Sequence, residues 1–291
     1  MQEVSVERDN ITAFKGVRDP GRTTTIVVPC YNEESRIDIE SFLGFLASAD
    51  VSFVFVNDGS RDRTLERLEE LRVSAPHRVT VVDLKQNSGK AEAVRRGLLA
   101  AIDGGATQVG YWDADLATPL DAIGDFVRVL SKFPEVQVVY GARRILLGHR
   151  IERTLKRRIV SRICASLARQ AVRLPVGDTQ CGAKLFRSTP LLRAALARPF
   201  TAGWLFDVEL FTRLSCQMTD RRFAFYEQPL AEWDEIPGSK VSTRAIIESG
   251  FKMLRLIGHS RLGHLYGSPA QAMAQEMVAV PIKTDEIRDA A

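Results

Sequence analysis

The 291-residue sequence lacks any run of about 18 apolar residues, so no transmembrane helix is expected. Its first ten residues, MQEVSVERDN, are polar and acidic, and a secretory signal peptide is therefore not expected either. The cysteines form no CxxC pair, which favours reduced thiols in a cytosolic protein over a disulfide or zinc framework. The cysteines are Cys30, Cys164, Cys181 and Cys216.

Two common phosphate-binding patterns are also missing. The sequence has no GxxxxGK[ST], which excludes a P-loop, and no GxGxxG after the first strand-like segment, which argues against a dinucleotide-binding fold. No internal repeat is present. The 45% hydrophobic content nonetheless allows a sizeable core, in one large domain or two closely packed ones.

The first half of the chain alternates strand-like and helix-like patterns. The predicted strands are TTTIVVPCY, VSFVFVND, RVTVVDLK, TQVGYWDADL and VQVVYGARR. The predicted helices are SRIDIESFLGFLASA, DRTLERLEELRVSA, SGKAEAVRRGLLAAI and one that begins at Pro119. Continuous β-branched runs separated by helices predict an α/β fold, with a mostly parallel sheet covered by helices on both faces.

Polar residues follow four of these strands, at the edge where such sheets bind ligands. They are Asn32 and Glu33, Asn57 and Asp58, Asn87 and Lys90, and Asp113 and Asp115. Ordinary helix caps and loop residues explain each pair singly. Because all four pairs lie at one edge of the predicted sheet, a site for a nucleotide-type ligand is favoured instead.

Two carboxylates lie two positions apart in VGYWDADLATP. In a strand-like segment Asp113 and Asp115 point to the same side, where like charges repel unless a cation or a proton compensates them. The alternative is a pair of solvated turn carboxylates, with Pro119 starting the next helix. The spacing alone leaves both interpretations open.

Positive charge is concentrated in one stretch. Residues 143–173 contain ten Arg or Lys residues and one acid, a charge of +9 in a chain whose net charge is +4. Within it, residues 151–172 read as a basic amphipathic helix, which binds a membrane surface or packs on the core with a solvated basic face. A second amphipathic segment, STRAIIESGFKMLRLIG, lies near the C-terminus. The asymmetry suggests a local anionic partner, and no nucleic-acid partner is expected.

The motifs PCYNEE, VNDGSRDRT and NSGKAEAVRRG, followed by the paired aspartates, resemble the family 2 glycosyltransferases of the glycosyltransferase A fold. The resemblance implies a nucleotide-sugar donor and a divalent cation, Mg²⁺ or Mn²⁺, held by Asp113 and Asp115 against the diphosphate. Carboxylates suit that cation, which acts as a Lewis acid on the departing nucleoside diphosphate. The donor contacts it implies are Pro29, Tyr31, Asn32, Glu33, Asp58, Asn87, Gly89, Lys90 and Asp113.

Three later motifs narrow the resemblance. DTQCGAKLF, WLFDVEL and AEWDEIPGSK are similar to segments of the dolichyl-phosphate β-glucosyltransferases and their bacterial polyprenyl-phosphate relatives. That group implies inverting transfer of a hexose, with UDP-glucose as donor, onto a polyprenyl phosphate. The implied acceptor or phosphate contacts are Arg143, Arg158, Gln180, Trp204 and Lys240. Trp204 is equally compatible with a place in the core.

The remaining alternative is a soluble glycosyltransferase with a hydroxyl acceptor on a small molecule or glycan. It stays open because members of the resembled family often carry a transmembrane helix, which this sequence lacks. A hydroxyl must lose a proton to a general base, whereas a phosphate monoester is largely dianionic at pH 7 and needs only positive charge. The resemblance implies that Asp207 is the base or an orienting group and that Asp178 orients the sugar. The plainer interpretations are a helix N-terminal carboxylate for Asp207 and a turn residue for Asp178.

We expect an N-terminal extension over residues 1–21 and a catalytic domain over 22–235. This domain divides into a nucleotide-binding half (22–142) and an acceptor-binding half (143–235). An amphipathic C-terminal helix is predicted over 236–262, and a poorly ordered tail over 263–291. We expect a cytoplasmic protein, either free or peripheral on the inner face of the membrane.

Overall fold

The computed structural model describes residues 23–144, 150–151, 165–218, 220–234 and 251–258. The strands are β1 Thr24–Cys30, β2 Val51–Asp58, β3 Val79–Leu84, β4 Gln108–Trp112, β5 Val138–Ala142, β6 Arg150–Ile151, β7 Ala183–Arg187, β8 Phe225–Pro229 and β9 Glu232–Trp233. The helices are α1 Ile39–Ser48, α2 Thr64–Ser74, α3 Lys90–Asp103, α4 Ala122–Lys132, α5 Pro190–Leu196 and α6 Phe206–Gln217. Residues 165–172 and 251–258 are also helical.

Seven strands form the central sheet, in the order β3-β2-β1-β4-β7-β5-β8. β2 runs parallel to both β1 and β3, β4 runs parallel to β1, and β8 runs parallel to β5. The predicted mostly parallel sheet is thus confirmed, and all five predicted strands are present. One feature was not predicted: β7 lies between β4 and β5 and runs antiparallel to both.

Helices cover both faces of the sheet, as predicted. On one face, Phe42 of α1 and Leu68 of α2 pack in a core with Phe53 and Phe55 of β2. On the other face, α3 packs so closely that a Cβ on Gly97 would lie 2.3 Å from a methyl carbon of Val27. Alternate residues of the strands supply the two cores, because successive side chains of a strand point to opposite faces.

The strand order places a crevice beside β1. The chain moves outward from β1 to β3 and then returns to form β4 on the other side of β1. At such a reversal the loops that follow the two inner strands diverge, and ligands of open α/β sheets bind in the gap. Because β7 is antiparallel, its N-terminal residue Ala183 pairs with Trp112 at the carboxyl end of β4. The residues that precede β7 therefore reach the same edge.

Parts of the two amphipathic segments lie in the described residues. Ala168 and Ala171, on the apolar stripe predicted for 151–172, are buried, as are Met253, Leu256 and Ile257 in the helix at 251–258. Residues 152–164, most of the basic helix, lie outside the described residues, as do 1–22, 235–250 and 259–291. The predicted domain boundaries remain predictions. No helix in the described ranges is long and apolar enough to cross a membrane.

Candidate active site

The loops after β1 and β2 are tied together by Asn32. Its backbone N–H donates to Ser60 Oγ at 3.0 Å, and its Oδ1 accepts from the backbone N–H of Arg61 at 2.9 Å. Asn32 has a φ of 54°, a left-handed conformation that asparagine tolerates better than most residues. Asn32 therefore holds the two loops together beside the crevice.

The two carboxylate oxygens of Glu33, the next residue, differ in their hydrogen bonding. Its Oε1 accepts from Arg36 at 2.6 Å, while Oε2 is buried and has no hydrogen-bond partner in the described part of the chain. Burial raises the pKa of Glu33, and the nearby Asp115 and Asp62 act in the same direction although Arg36 opposes them. A buried, unpaired carboxylate oxygen is available to a donor on a ligand.

Asp58, the last residue of β2, holds the loop before α3. Its two oxygens accept from the backbone N–H groups of Ser88 at 2.7 Å and Gly89 at 2.8 Å. Gly59 approaches the same loop so closely that a Cβ would lie 2.4 Å from the backbone nitrogen of Asn87. Asp58 is only 2% exposed, so its position indicates a support for Asn87 and Gly89 at the crevice.

Lys90 begins α3 and forms an ion pair with Asp113. Its Nζ lies 2.5 Å from Oδ1 of Asp113. Burial lowers the pKa of Lys90, but the carboxylates of Asp113, Asp207 and Asp115 together leave that pKa above its usual value. The structure thus brings Lys90 into contact with Asp113, and the charges of Asp115 and Asp207 also act on its ammonium group.

Gly182 makes room for Asp113. The backbone N–H of Asp113 donates to the Gly182 carbonyl at 3.1 Å, and a Cβ on Gly182 would lie 1.9 Å from Oδ2 of Asp113. No side chain fits there without moving the carboxylate. Gly182 could not be singled out from the sequence, because the register of β7 against β4 was not predicted.

Asp115 lies in the turn after β4, not in the strand itself. Its Oδ1 accepts from the backbone N–H of Ala117 at 3.1 Å. Burial and the neighbouring Asp113 raise the pKa of Asp115, which argues against a freely solvated turn carboxylate. A bound cation would relieve both effects.

The described residues contain no group of three or more His, Cys, Asp or Glu side chains that could hold a metal ion. Mg²⁺ is commonly held by one or two carboxylates together with the phosphates of a substrate. The pair Asp113 and Asp115 fits a cation of that kind, which arrives with a diphosphate. The two carboxylates are donors of the kind that such a cation takes, and their role as its ligands stays a prediction.

Arg143 and Asp178 form a two-pronged ion pair beside the cluster. Nε and Nη2 of Arg143 donate to the two carboxylate oxygens of Asp178 at 2.7 and 2.8 Å, and the Arg143 backbone N–H donates at 3.1 Å. The Arg143 guanidinium also lies over the ring of Trp233, 5.1 Å from its centroid. Asp178, which is buried, thus holds the guanidinium group of Arg143 in place.

Asp207 is buried in the first turn of α6. Its Oδ1 accepts from the Tyr111 hydroxyl and lies 2.9 Å from Nζ of Lys184, a side chain with no exposed surface. Burial raises the pKa of Asp207 to about 8. Neither Tyr111 nor Lys184 was singled out from the sequence; a lysine inside the strand pattern AKLF was the only signal that pointed to one of them.

The other predicted residues have varied positions. Tyr31 is exposed, and Pro29 is half-buried at the carboxyl end of β1. Trp204 is 58% exposed, so the alternative that placed it in the core is wrong. Gln180 has a buried Nε2 with no hydrogen-bond partner in the described ranges. Arg158 and Lys240 lie outside the described residues.

A comparison with known families and proteins finds matches over most of the chain. The family model described as glycosyl transferase family 2 matches residues 25–193. The dolichyl-phosphate beta-glucosyltransferase of Mus musculus is 31% identical over 245 residues, which cover 76% of this chain and 70% of that protein. The protein of the same name in Saccharomyces cerevisiae is 29% identical over 272 residues, 84% of this chain and 75% of that one.

Among solved structures, the fold is similar to glucosyl-3-phosphoglycerate synthase of Mycobacterium tuberculosis in complex with Mn²⁺ and UDP-glucose. The TM-score is 0.59 at 21% sequence identity, and the match covers 82% of this chain and 80% of that one. At this identity the likeness concerns the fold alone.

Proposed function

The chain belongs to glycosyl transferase family 2, and on that premise we propose that it transfers glucose from UDP-glucose to a polyprenyl phosphate. The chain is a glycosyltransferase with the glycosyltransferase A fold, in agreement with the motifs of its sequence. The names of its relatives support the glucose and the lipid phosphate. The observation that carries the proposal is the ion pair between Lys90 and Asp113, a site where the charges of Asp115 and Asp207 also act on Lys90.

The donor half of the site has to stabilise a departing nucleoside diphosphate. Asp113 and Asp115 would hold a divalent cation, which supplies Lewis-acid stabilisation of the charge on the diphosphate. Lys90 is the protein's own cation at this point, and Asp58 fixes the backbone from which it projects. Oε2 of Glu33, which is buried and has no hydrogen-bond partner among the described residues, would accept a hydrogen bond from the nucleoside.

In the transfer step, an oxygen of the acceptor phosphate bonds to the anomeric carbon of the sugar. The bond between that carbon and the oxygen of UDP breaks at the same time. Attack from the face opposite the diphosphate inverts that carbon, so an α-linked donor gives a β-linked product. Asp178 occupies two nitrogens of Arg143, which leaves Nη1 to meet the acceptor phosphate. The acceptor loses no proton at neutral pH, so Asp207 orients groups and balances charge.

A hydroxyl acceptor remains the second candidate, because one observation favours it. Burial raises the pKa of Asp207 to about 8, and a general base works best with a pKa near the operating pH. The two candidates differ in what they require of this carboxylate. The substitution Asp207→Asn keeps its shape and removes its basicity.

We expect the Asp207→Asn variant to retain part of its activity, because a phosphate acceptor needs no base. Its residual rate should fall below about pH 6, where the acceptor takes up a proton. The measurement is the rate over pH 5–8 with saturating polyprenyl phosphate. A loss on the order of 10²–10⁴-fold at pH 8, where the phosphate is fully ionised, would count against this proposal and favour the hydroxyl acceptor.

We also propose that the protein attaches peripherally to a membrane through the basic stretch at 143–173, whose charge is +9. Each Lys or Arg near an anionic surface contributes about 1 kcal/mol of attraction. The protein should sediment with anionic vesicles at low salt and be released as the salt concentration rises, because salt screens exposed charges. Neutral vesicles are the control. Absence of binding to anionic vesicles at low salt would contradict this attachment.

A further inference from the structure

The buried lysine in the centre of the sheet has no role in the reaction as described so far. Lys184 lies on β7, where it pairs with Tyr111 of β4 on one side and Tyr140 of β5 on the other. Its side chain has no exposed surface. Because an isolated buried ammonium group is strongly unfavourable, a lysine here requires an explanation.

The ammonium group of Lys184 contacts Asp207, a backbone carbonyl and two aromatic rings. Nζ lies 2.9 Å from Oδ1 of Asp207 and donates to the Cys181 carbonyl at 2.5 Å. The rings of Tyr111 and Phe211 lie around it, with centroids 4.9 and 5.7 Å from Nζ. Since both ring faces attract a cation, this enclosure favours the charged form of the lysine.

We propose that Lys184 and Tyr111 are positioning residues, which fix the direction of the Asp207 carboxyl group toward the site and favour its charged form against the effect of burial. The ammonium group and the Tyr111 hydroxyl both engage Oδ1 of Asp207, which leaves Oδ2 to face the reacting groups. This inference rests on the proposed function only through the role of Asp207. The positioning itself is a property of the folded protein without substrate.

Burial acts against both charges of the pair. It raises the pKa of Asp207 to about 8 and lowers the pKa of Lys184 to about 7. The contact between the two opposes both shifts, because each charge stabilises the other. The charge of Lys90, on α3, also acts on Asp207 and lowers its pKa. Around Lys184 itself, Cys181, Lys90, Asp113 and Asp178 also act on its pKa.

The test is the titration of the Asp207 carboxyl carbon, followed by NMR in protein labelled with ¹³C at aspartate. Asp207→Asn identifies its signal. In Lys184→Met the carboxylate loses its opposite charge, so we expect its pKa to rise by about 1 to 3 units. In Tyr111→Phe, which keeps the ring and removes only the hydroxyl, the pKa should rise by less. An unchanged Asp207 titration in Lys184→Met would overturn the proposal.

A double-mutant cycle shows whether Lys184 acts through Asp207. Lys184→Met should lower the rate at pH 7, and the acid side of its pH–rate profile should move to higher pH. In the Asp207→Asn background the same change should alter the rate by less than about twofold, because the carboxylate on which it acts is gone. This double variant also removes both buried charges, which guards against misfolding. An equal effect of Lys184→Met in both backgrounds would contradict the proposal.

The proposed function and the positioning role of Lys184 can be contradicted independently. If no donor and acceptor give a product, the proposed function is wrong, while the NMR titration still decides the positioning role. If transfer occurs but the titration of Asp207 does not respond to Lys184→Met, the positioning role alone is wrong.

Discussion

Replacing Asp115 with alanine is expected to abolish sugar transfer. Burial and the charge of Asp113 both oppose ionisation of this carboxylate, an arrangement that a divalent cation reverses. Without Asp115, a divalent cation at the proposed site would keep a single carboxylate, that of Asp113, which is already paired with Lys90. The rate should fall to background in an assay with saturating donor and acceptor. Excess EDTA should have the same effect on the wild-type protein.

The exposed residue Asp121, just before α4, provides a matched control. Asp121→Ala makes the same chemical change a few residues further along the chain. It should leave both the rate and the metal requirement unchanged. Asp113→Asn should be less severe than Asp115→Ala if Asp113 mainly contacts the nucleotide. Full activity of the wild-type protein in excess EDTA would rule out the role of the metal.

The second large effect is expected from a single methyl group. In Gly182→Ala the new Cβ would lie 1.9 Å from Oδ2 of Asp113, so the carboxylate has to move. Displacement of a catalytic group by about 1 Å costs on the order of 10²-fold in rate, and we expect a loss of that size. The metal concentration required for half-maximal activity should rise as well, since Asp113 is one of the two proposed ligands.

Gly124→Ala is the control for this substitution. Gly124 lies in α4, and a Cβ there meets no atom within 4 Å. Alanine in the interior of a helix is more stable than glycine by about 0.5–1 kcal/mol, so this variant should unfold at a slightly higher temperature with an unchanged rate. A Gly182→Ala variant with wild-type rate and metal dependence would show that the contact with Asp113 is unimportant.

The sequence was sufficient to predict the parallel part of the sheet, because buried strands separated by helices have few other arrangements. It also predicted that Lys90, Asp113 and Asp115 meet, since strands of a parallel sheet end at one edge. Asp207 comes from α6, far along the chain, and only a resemblance to known proteins connected it with that edge.

Other features depend on strand direction and register, which the pattern of residues did not reveal. The antiparallel β7 brings Gly182 against Asp113 and Lys184 against Tyr111. The predicted contact of Asp58 with the nucleotide stays a prediction, and the structure adds a second role, since its oxygens accept from two backbone N–H groups. A polar residue at the end of a strand looks the same in sequence whether it contacts the ligand or supports a neighbour that does.

The acceptor class is the central claim, and an assay of product formation tests it most directly. The purified protein is incubated with a panel of UDP- and GDP-sugars, each with and without a polyprenyl phosphate, and the products are identified by mass spectrometry. We predict a hexosyl lipid phosphate from UDP-glucose, formed only when the lipid phosphate is present. Transfer to a hydroxyl compound at a comparable rate, with no product from the lipid phosphate, would contradict the account.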